Sequence, residues 1–323
     1  MENYIEFTVK GQIYRIPNAW EALSGYQFSG LIRDISRMAT GEIPVAVVKV
    51  NHVCRVMDWE PAKVKDEQSY QNLAWLAEQV TFPFVIVYPN NDEALDGLDP
   101  ATHKLCKRIP PRQLTGVTIA KYLSRLDYKY AVDSCFCKQM RSDVTIDDEV
   151  YLSYKIDTSF GHLTCSLTAL QFIEARNLIN GSLDQLPLLA AILYYPDRYS
   201  SDGAHELANT FKLLPDETLQ EIAFNFQAFV NYLFTRTEFK LLTEPRGIKV
   251  SAISTGALES LYNLSSDGYG NVDTIEHLNI IQYLSILRKK LIDTVRSLNA
   301  AKMDKAKIAE ETGLPITTIN NIL

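Results

Sequence analysis

Cys135-x-Cys137 and the downstream His162-x-x-Cys165 are the one metal-like grouping in this chain. Thiolates and an imidazole are zinc donors, and four of them could hold the ion tetrahedrally. Against zinc, Cys-x-Cys sets both thiols on one face of a strand, and the gap between the pairs matches no familiar ribbon. Two small apolar thiols packed beside Phe136 account for the same letters, and no cofactor is expected. Asp147-Asp148-Glu149 is an acid cluster, but it lies between two strand-like runs, where a solvated turn is the ordinary outcome. His52, His103, His205 and His277 have no Ser, Cys or acid in a recognised catalytic order. Neither usual Gly-rich phosphate loop occurs. The expectation is a protein that is not an enzyme.

The elements that would position other chemistry come next. The 323 residues hold two modest cores or one large one, with 46% hydrophobic and 22% charged residues, as in an ordinary globular protein. No apolar run approaches the roughly 20 residues a membrane span needs. The first residues read as strands and not as a signal peptide, and five irregularly spaced cysteines fit a reducing compartment. A net charge of −7 repels nucleic acid overall, so any DNA contact has to be local.

Tyr4 to Val9 and Ile13 to Ile16 alternate as a hairpin around Lys10-Gly11, ended by Pro17. A helix then starts at a Ser24 cap and carries Phe28, Leu31, Ile32, Ile35 and Met38 at helical spacing, up to a stop at Gly41. Another follows from Pro44, and a third covers Tyr70 to Val80, before a strand in FPFVIVYP. The pattern recurs. LSGYQF at Leu23 and LTALQF at Leu167 each open an amphipathic helix, break at Gly41 or Gly181, and resume at Pro44 or Pro187. Strand-like alternation precedes both, which favours a duplication over common punctuation.

YPNNDEALDGLDPATH reads as a loop between the copies. The helix LPDETLQEIAFNFQAFVNYLF is unusually aromatic, and its Phe229 and Tyr232 belong either to the second module's core or to a flank that packs on a neighbouring subunit. Glu244-Pro245-Arg246-Gly247 marks a boundary. Beyond it come a helix from Ser254 to Leu264, a long helix from about Thr274 to Leu298, and a final corner. The expected fold is α+β and mainly helical. It comprises a module over 1–115, a related module over 116–245 and a helical segment over 246–323.

The hairpin, Trp20 and the Leu-Ser-x-x-Gln-Phe helix together resemble the tail-assembly chaperones and related morphogenesis proteins of tailed bacteriophages and prophages, particularly large versions from phages of Bacteroides-type hosts. The likeness covers residues 3 to 85 and, through the duplication, about 150 to 240. It implies a non-enzymatic role in the host cytoplasm or the virion. The implied partners are phage structural proteins or further copies of the chain, with no membrane involved. This chain is longer than many such chaperones.

The last residues, KIAEETGLPITTINNIL, have the small residue, glycine turn and apolar anchor of a helix-turn-helix. One reading makes the corner a DNA reader, with Lys302, Lys305 and Lys307 on phosphates and Thr317, Thr318, Asn320 and Asn321 on base edges. Residues 286–310 support it with seven Lys or Arg against three acids. The other reading makes it a protein grip, because no Arg or Lys follows Lys307, and Ile316, Ile319, Ile322 and Leu323 form one stripe. The grip is preferred, and the expected protein-contact anchors are Trp20, Phe229, Tyr232, Ile319 and Leu323.

Overall fold

The computed structural model describes residues 3–9, 11–60, 66–179, 181–243 and 258–323. The fold is α+β and mainly helical, with its strands in small antiparallel pairs. The chain divides into two compact units, Met1–Ser134 and Cys135–Leu323.

In the first unit, strands β1 (Tyr4–Val9) and β2 (Gln12–Pro17) pair antiparallel in register from Tyr4↔Pro17 to Val9↔Gln12. Lys10, in the expected turn, lies outside the described residues. Helix α1 (Gly25–Ala39) begins where Ser24 accepts from the Gln27 amide and the Gln27 side chain returns to the Ser24 amide. This reciprocal box satisfies two amide donors that a helix end otherwise leaves unpaired. Phe28 and Leu31 then point into the core. Helix α2 (Val45–Met57) starts just after Pro44 and buries Val48, His52 and Val53; α3 (Glu67–Gln79) follows from an Asp66 cap.

His52 Nε2–H donates to the Pro17 carbonyl at 3.1 Å, which ties α2 to the base of the hairpin. Burial holds the imidazole neutral and pushes its pKa down to about 4, with Arg55 lowering it further and Asp34 opposing. Arg55 Nη2 donates to Asp34 at 2.5 Å, and its guanidinium lies where a Cβ on Gly30 would be, 2.1 Å from Nε. A side chain at position 30 would therefore have to displace the guanidinium that pairs with Asp34.

Strand β3 (Phe84–Val87) pairs with β4 (Lys129–Val132), and between them run helices α4 (Pro100–Cys106) and α5 (Ala120–Leu123). The stretch read as a loop between copies is instead built into this unit, since Tyr88, Leu95 and Cys106 share a small core with Leu114 and Leu123. The unit ends near Ser134 and not near 115. Arg108 is the reason, donating to the Phe82 and Phe84 carbonyls and to Asp133, and so stapling the end of β4 to β3.

In the second unit, hairpins β5 (Asp143–Ile146) with β6 (Glu149–Leu152) and β7 (Ile156–Asp157) with β8 (Thr164–Cys165) precede α6 (Ala169–Leu178). Asp147 and Asp148 form the tight turn of the first pair with φ of 50° and 66°. Thr168 and Gln171 make the same reciprocal box at α6 that Ser24 and Gln27 make at α1, and Phe172 is buried as Phe28 is. Helix α7 (Leu186–Leu193) is almost wholly buried, and α8 (Ser201–Phe211) packs on it. The sequence reading did not single out α8. Helix α9 (Asp216–Arg236) turns Phe226, Phe229, Leu233 and Phe234 inward.

The C-terminal helices are α10 (Glu259–Ser266), α11 (Val272–Glu276), α12 (Ile280–Ala300), α13 (Lys305–Thr312) and α14 (Ile316–Ile322). The boundary at 244–247 and the first residues of the expected 254–264 helix lie outside the described residues. One long helix from Thr274 is expected, but the chain breaks at Leu278-Asn279. There Asn279 caps α12 and donates to the Cys165 carbonyl, while Leu278 and Ile280 bond across to Ala169 and Leu167. This bridge explains why the C-terminal segment is not a separate domain. Leu264, Tyr283, Leu287 and Ile319 join one core with Phe172 and Phe226.

Two outcomes follow. Ser24→Ala and Thr168→Ala should each lower unfolding free energy by about 1 kcal/mol in urea titrations. For His52, the unfolded ring takes a proton near pH 6.5 and the folded one only near 4, so stability falls as pH drops through that window. The loss reaches about 3 kcal/mol at about 1.4 kcal/mol per pH unit. It should shrink in His52→Gln, read from melting curves between pH 7 and 4.

Candidate protein-binding groove

A groove of about 710 Å³ opens among the described residues of the first unit. One wall is β1, through Phe7, Thr8 and Val9. The other is α3, whose Ser69, Asn72, Leu73 and Leu76 recur at helical spacing and so share a face. Trp59, just beyond the left-handed Asp58 that ends α2, and Trp75 stand at its margins. They are 38% and 57% exposed, and Tyr70 on the same helix is 67% exposed. Large aromatics held in water by rigid helices are what binding surfaces use, because such rings lose little freedom when covered.

The hairpin is seated most deeply at its base. Ile16 is fully buried, whereas Tyr4, Val9 and Ile13 are 42%, 41% and 66% exposed. The strand pair therefore overhangs the helices and leaves the groove open between them.

Sequence reasoning missed Trp59, Trp75, Leu73 and Leu76 as site residues. A usable sign existed for Trp75. Leu73, Leu76 and Ala77 keep the buried stripe of α3, and Trp75 falls off it.

Three expected anchors are corrected by their burial. Trp20 is 3% exposed, edge-on to Phe28 and Phe82 at 6.2 and 5.1 Å, and its Nε1–H donates to the Asp133 carbonyl at 2.7 Å. Phe229 is fully buried against Tyr154 at 5.8 Å, and Ile319 is fully buried in the second unit's core. Each satisfies its own chain and is not available to a partner. Tyr232 is half-buried, and Leu323 is exposed at 45%.

The C-terminal corner has the expected helices, joined through Gly313 at φ 66°. Its apolar stripe divides: Ile319 turns inward with Ile308 and Leu314, while Ile316 stays 49% exposed. Lys302, Lys305, Lys307, Thr317, Asn320 and Asn321 are exposed and Thr318 is half-buried. Several local cations are engaged: Arg288 pairs with Glu238, Lys290 with Asp267, and Lys305 Nζ donates to Asn320 Oδ1 at 2.6 Å.

The four metal-like residues do not share one environment. Cys165 is buried, and loss of water pushes its thiol up to about 12, which disfavours the thiolate that zinc requires. Cys137 is partly buried against the same core, Cys135 Sγ lies 3.3 Å from Thr235 Oγ1, and His162 is exposed. Among the described residues no three His, Cys, Asp or Glu side chains come together as a metal site. No described helix is long and apolar enough to cross a membrane.

Trp75→Ala should leave stability within about 0.5 kcal/mol of the parent, whereas Trp20→Ala should cost about 3–5 kcal/mol. In acrylamide quenching, Trp59 and Trp75 should be the accessible emitters and Trp20 the protected one.

No family model, no curated protein and no solved structure matches this chain.

Proposed function

We propose that this chain is a non-enzymatic assembly protein that holds other polypeptides through the groove between β1 and α3. One observation carries the reading: two tryptophans, Trp75 on α3 and Trp59 just past the end of α2, stand exposed beside an apolar cleft. Covering such surface is favourable at about 25 cal/mol per Å², and buried aromatic anchors dominate the energy of most protein interfaces. The polar rim of Asp58, Ser69 and Asn72 supplies selection more than affinity.

The sequence resemblance to phage tail-assembly chaperones gives that role its setting: transient grip of a virion subunit in the host cytoplasm, or a place in the finished particle. The matching reciprocal caps of α1 and α6, each after a strand pair and each followed by a buried Phe, support a duplicated ancestral unit. The C-terminal corner serves this reading as a brace. Its inward Ile308, Leu314 and Ile319 pack in the core with α12, and Ile316 and Leu323 stay exposed among polar neighbours.

Tagged protein purified from a host producing particles should carry tail or capsid subunits, identified by mass spectrometry. The Trp59→Ser/Trp75→Ser variant should lose at least nine-tenths of them while melting as the parent does. Unchanged capture would exclude the groove. DNA binding is the rival outcome: a random-duplex gel shift that weakens steeply with salt and vanishes when Lys302, Lys305 and Lys307 become Glu would move the function to the corner.

A further inference from the structure

Phe7, Thr8 and Val9 are consecutive, yet all three line the groove. Side chains alternate across a strand, so sequence neighbours share one wall only where a cleft runs along the strand's edge. Among the described residues that edge of β1 is open, because β1 pairs there with β2 alone. Asn18 N–H bonds to the Asn3 carbonyl at 2.7 Å just outside the ladder, and the alternation from there makes Val9–Gln12 a hydrogen-bonded pair. Phe7 and Ile5 then bond to β2 as well, and Tyr4, Glu6 and Thr8 turn their N–H and C=O groups outward. Among the described residues, no other backbone group bonds to those three.

These open groups decide what shape of occupant fits. A docked helix satisfies its own backbone and would cover the β1 edge without pairing it, leaving each covered N–H and C=O unsatisfied. An extended segment pairs the edge and sets alternate side chains toward the cleft. We propose that the groove takes an extended segment of a partner protein as a third strand on the open edge of β1, its alternate apolar side chains resting on Leu73, Leu76, Trp59 and Trp75. This rests on the reading of the groove as a protein-binding surface, and it adds the partner's chemistry: an unpaired run of about five residues with every second one apolar.

Hydrogen exchange on the full chain tests it, with a nine-residue probe peptide alternating Val or Leu with Thr between terminal lysines. The Tyr4, Glu6 and Thr8 amides should exchange at least tenfold more slowly with the peptide, and tryptophan emission should shift to the blue. The same peptide N-methylated at alternate residues should do neither, and Thr8→Pro, which removes an edge donor, should abolish both while still unfolding cooperatively. Equal binding of the N-methylated peptide, or bound peptide without protection of those amides, would overturn strand addition. Protection that rises with protein concentration alone would assign the edge to a second copy and overturn the partner assignment. Should subunit capture still depend on Trp59 and Trp75 while no peptide protects β1, strand addition fails and the broader reading stands. Should capture ignore the tryptophans, the broader reading fails first.

Discussion

A single hydrogen bond, from His52 in α2 to the carbonyl of Pro17, fixes how the N-terminal hairpin meets the helices. Pro17 has no amide to offer a ladder, so the strand ends there, and its carbonyl is left for a partner from another element. Burial keeps the His52 ring neutral, Arg55 adds to that effect, and the bond to Pro17 opposes it. With Ile16 and Pro17 buried at that contact and Tyr4, Val9 and Ile13 exposed, the hairpin is held most firmly at one end. Among the described residues, an unpaired edge of β1 beside the groove goes with that arrangement.

The second unit solves the same local problem to a different end. Both α1 and α6 start from a hydroxyl–glutamine box and drive a phenylalanine into a core. In the first unit the following helices leave two tryptophans in water. In the second, α7 is covered by α8 and α9, and an aromatic cluster of Tyr154, Phe172, Phe226 and Phe229 fills the interior. Asn225 on α9 reaches the backbone of Lys138 and Met140, so even the irregular lead-in is held down. The same capped helix start can thus lead to a buried interior in one unit and to an exposed groove in the other.

Long, strongly patterned segments were legible because their periodicity states which face is wet. The hairpin, α1, α2, α9 and the C-terminal corner fall where alternation, caps and prolines put them. The break before α12 was not legible: Asn279 caps only because Cys165 and Leu167, far away in sequence, supply the facing backbone. The identity of the contact residues was illegible for a related reason. An aromatic residue has the same letter whether it plugs its own core, as Trp20 and Phe229 do, or waits in water, as Trp75 does.

By itself the sequence determined local things: the helical and strand periods, the capping pairs Ser24–Gln27 and Thr168–Gln171, the tight turn at Asp147-Asp148, and a net charge that repels nucleic acid overall. Each depends on neighbours a few residues apart, and local sterics and hydrogen bonding act over that range. Tertiary structure alone decided that Ile319 points inward, that the C-terminal helices share the second unit's core, and that β1 keeps an open edge beside Trp59 and Trp75. Burial is a property of what lies across the fold, and no residue carries that information in its own side chain.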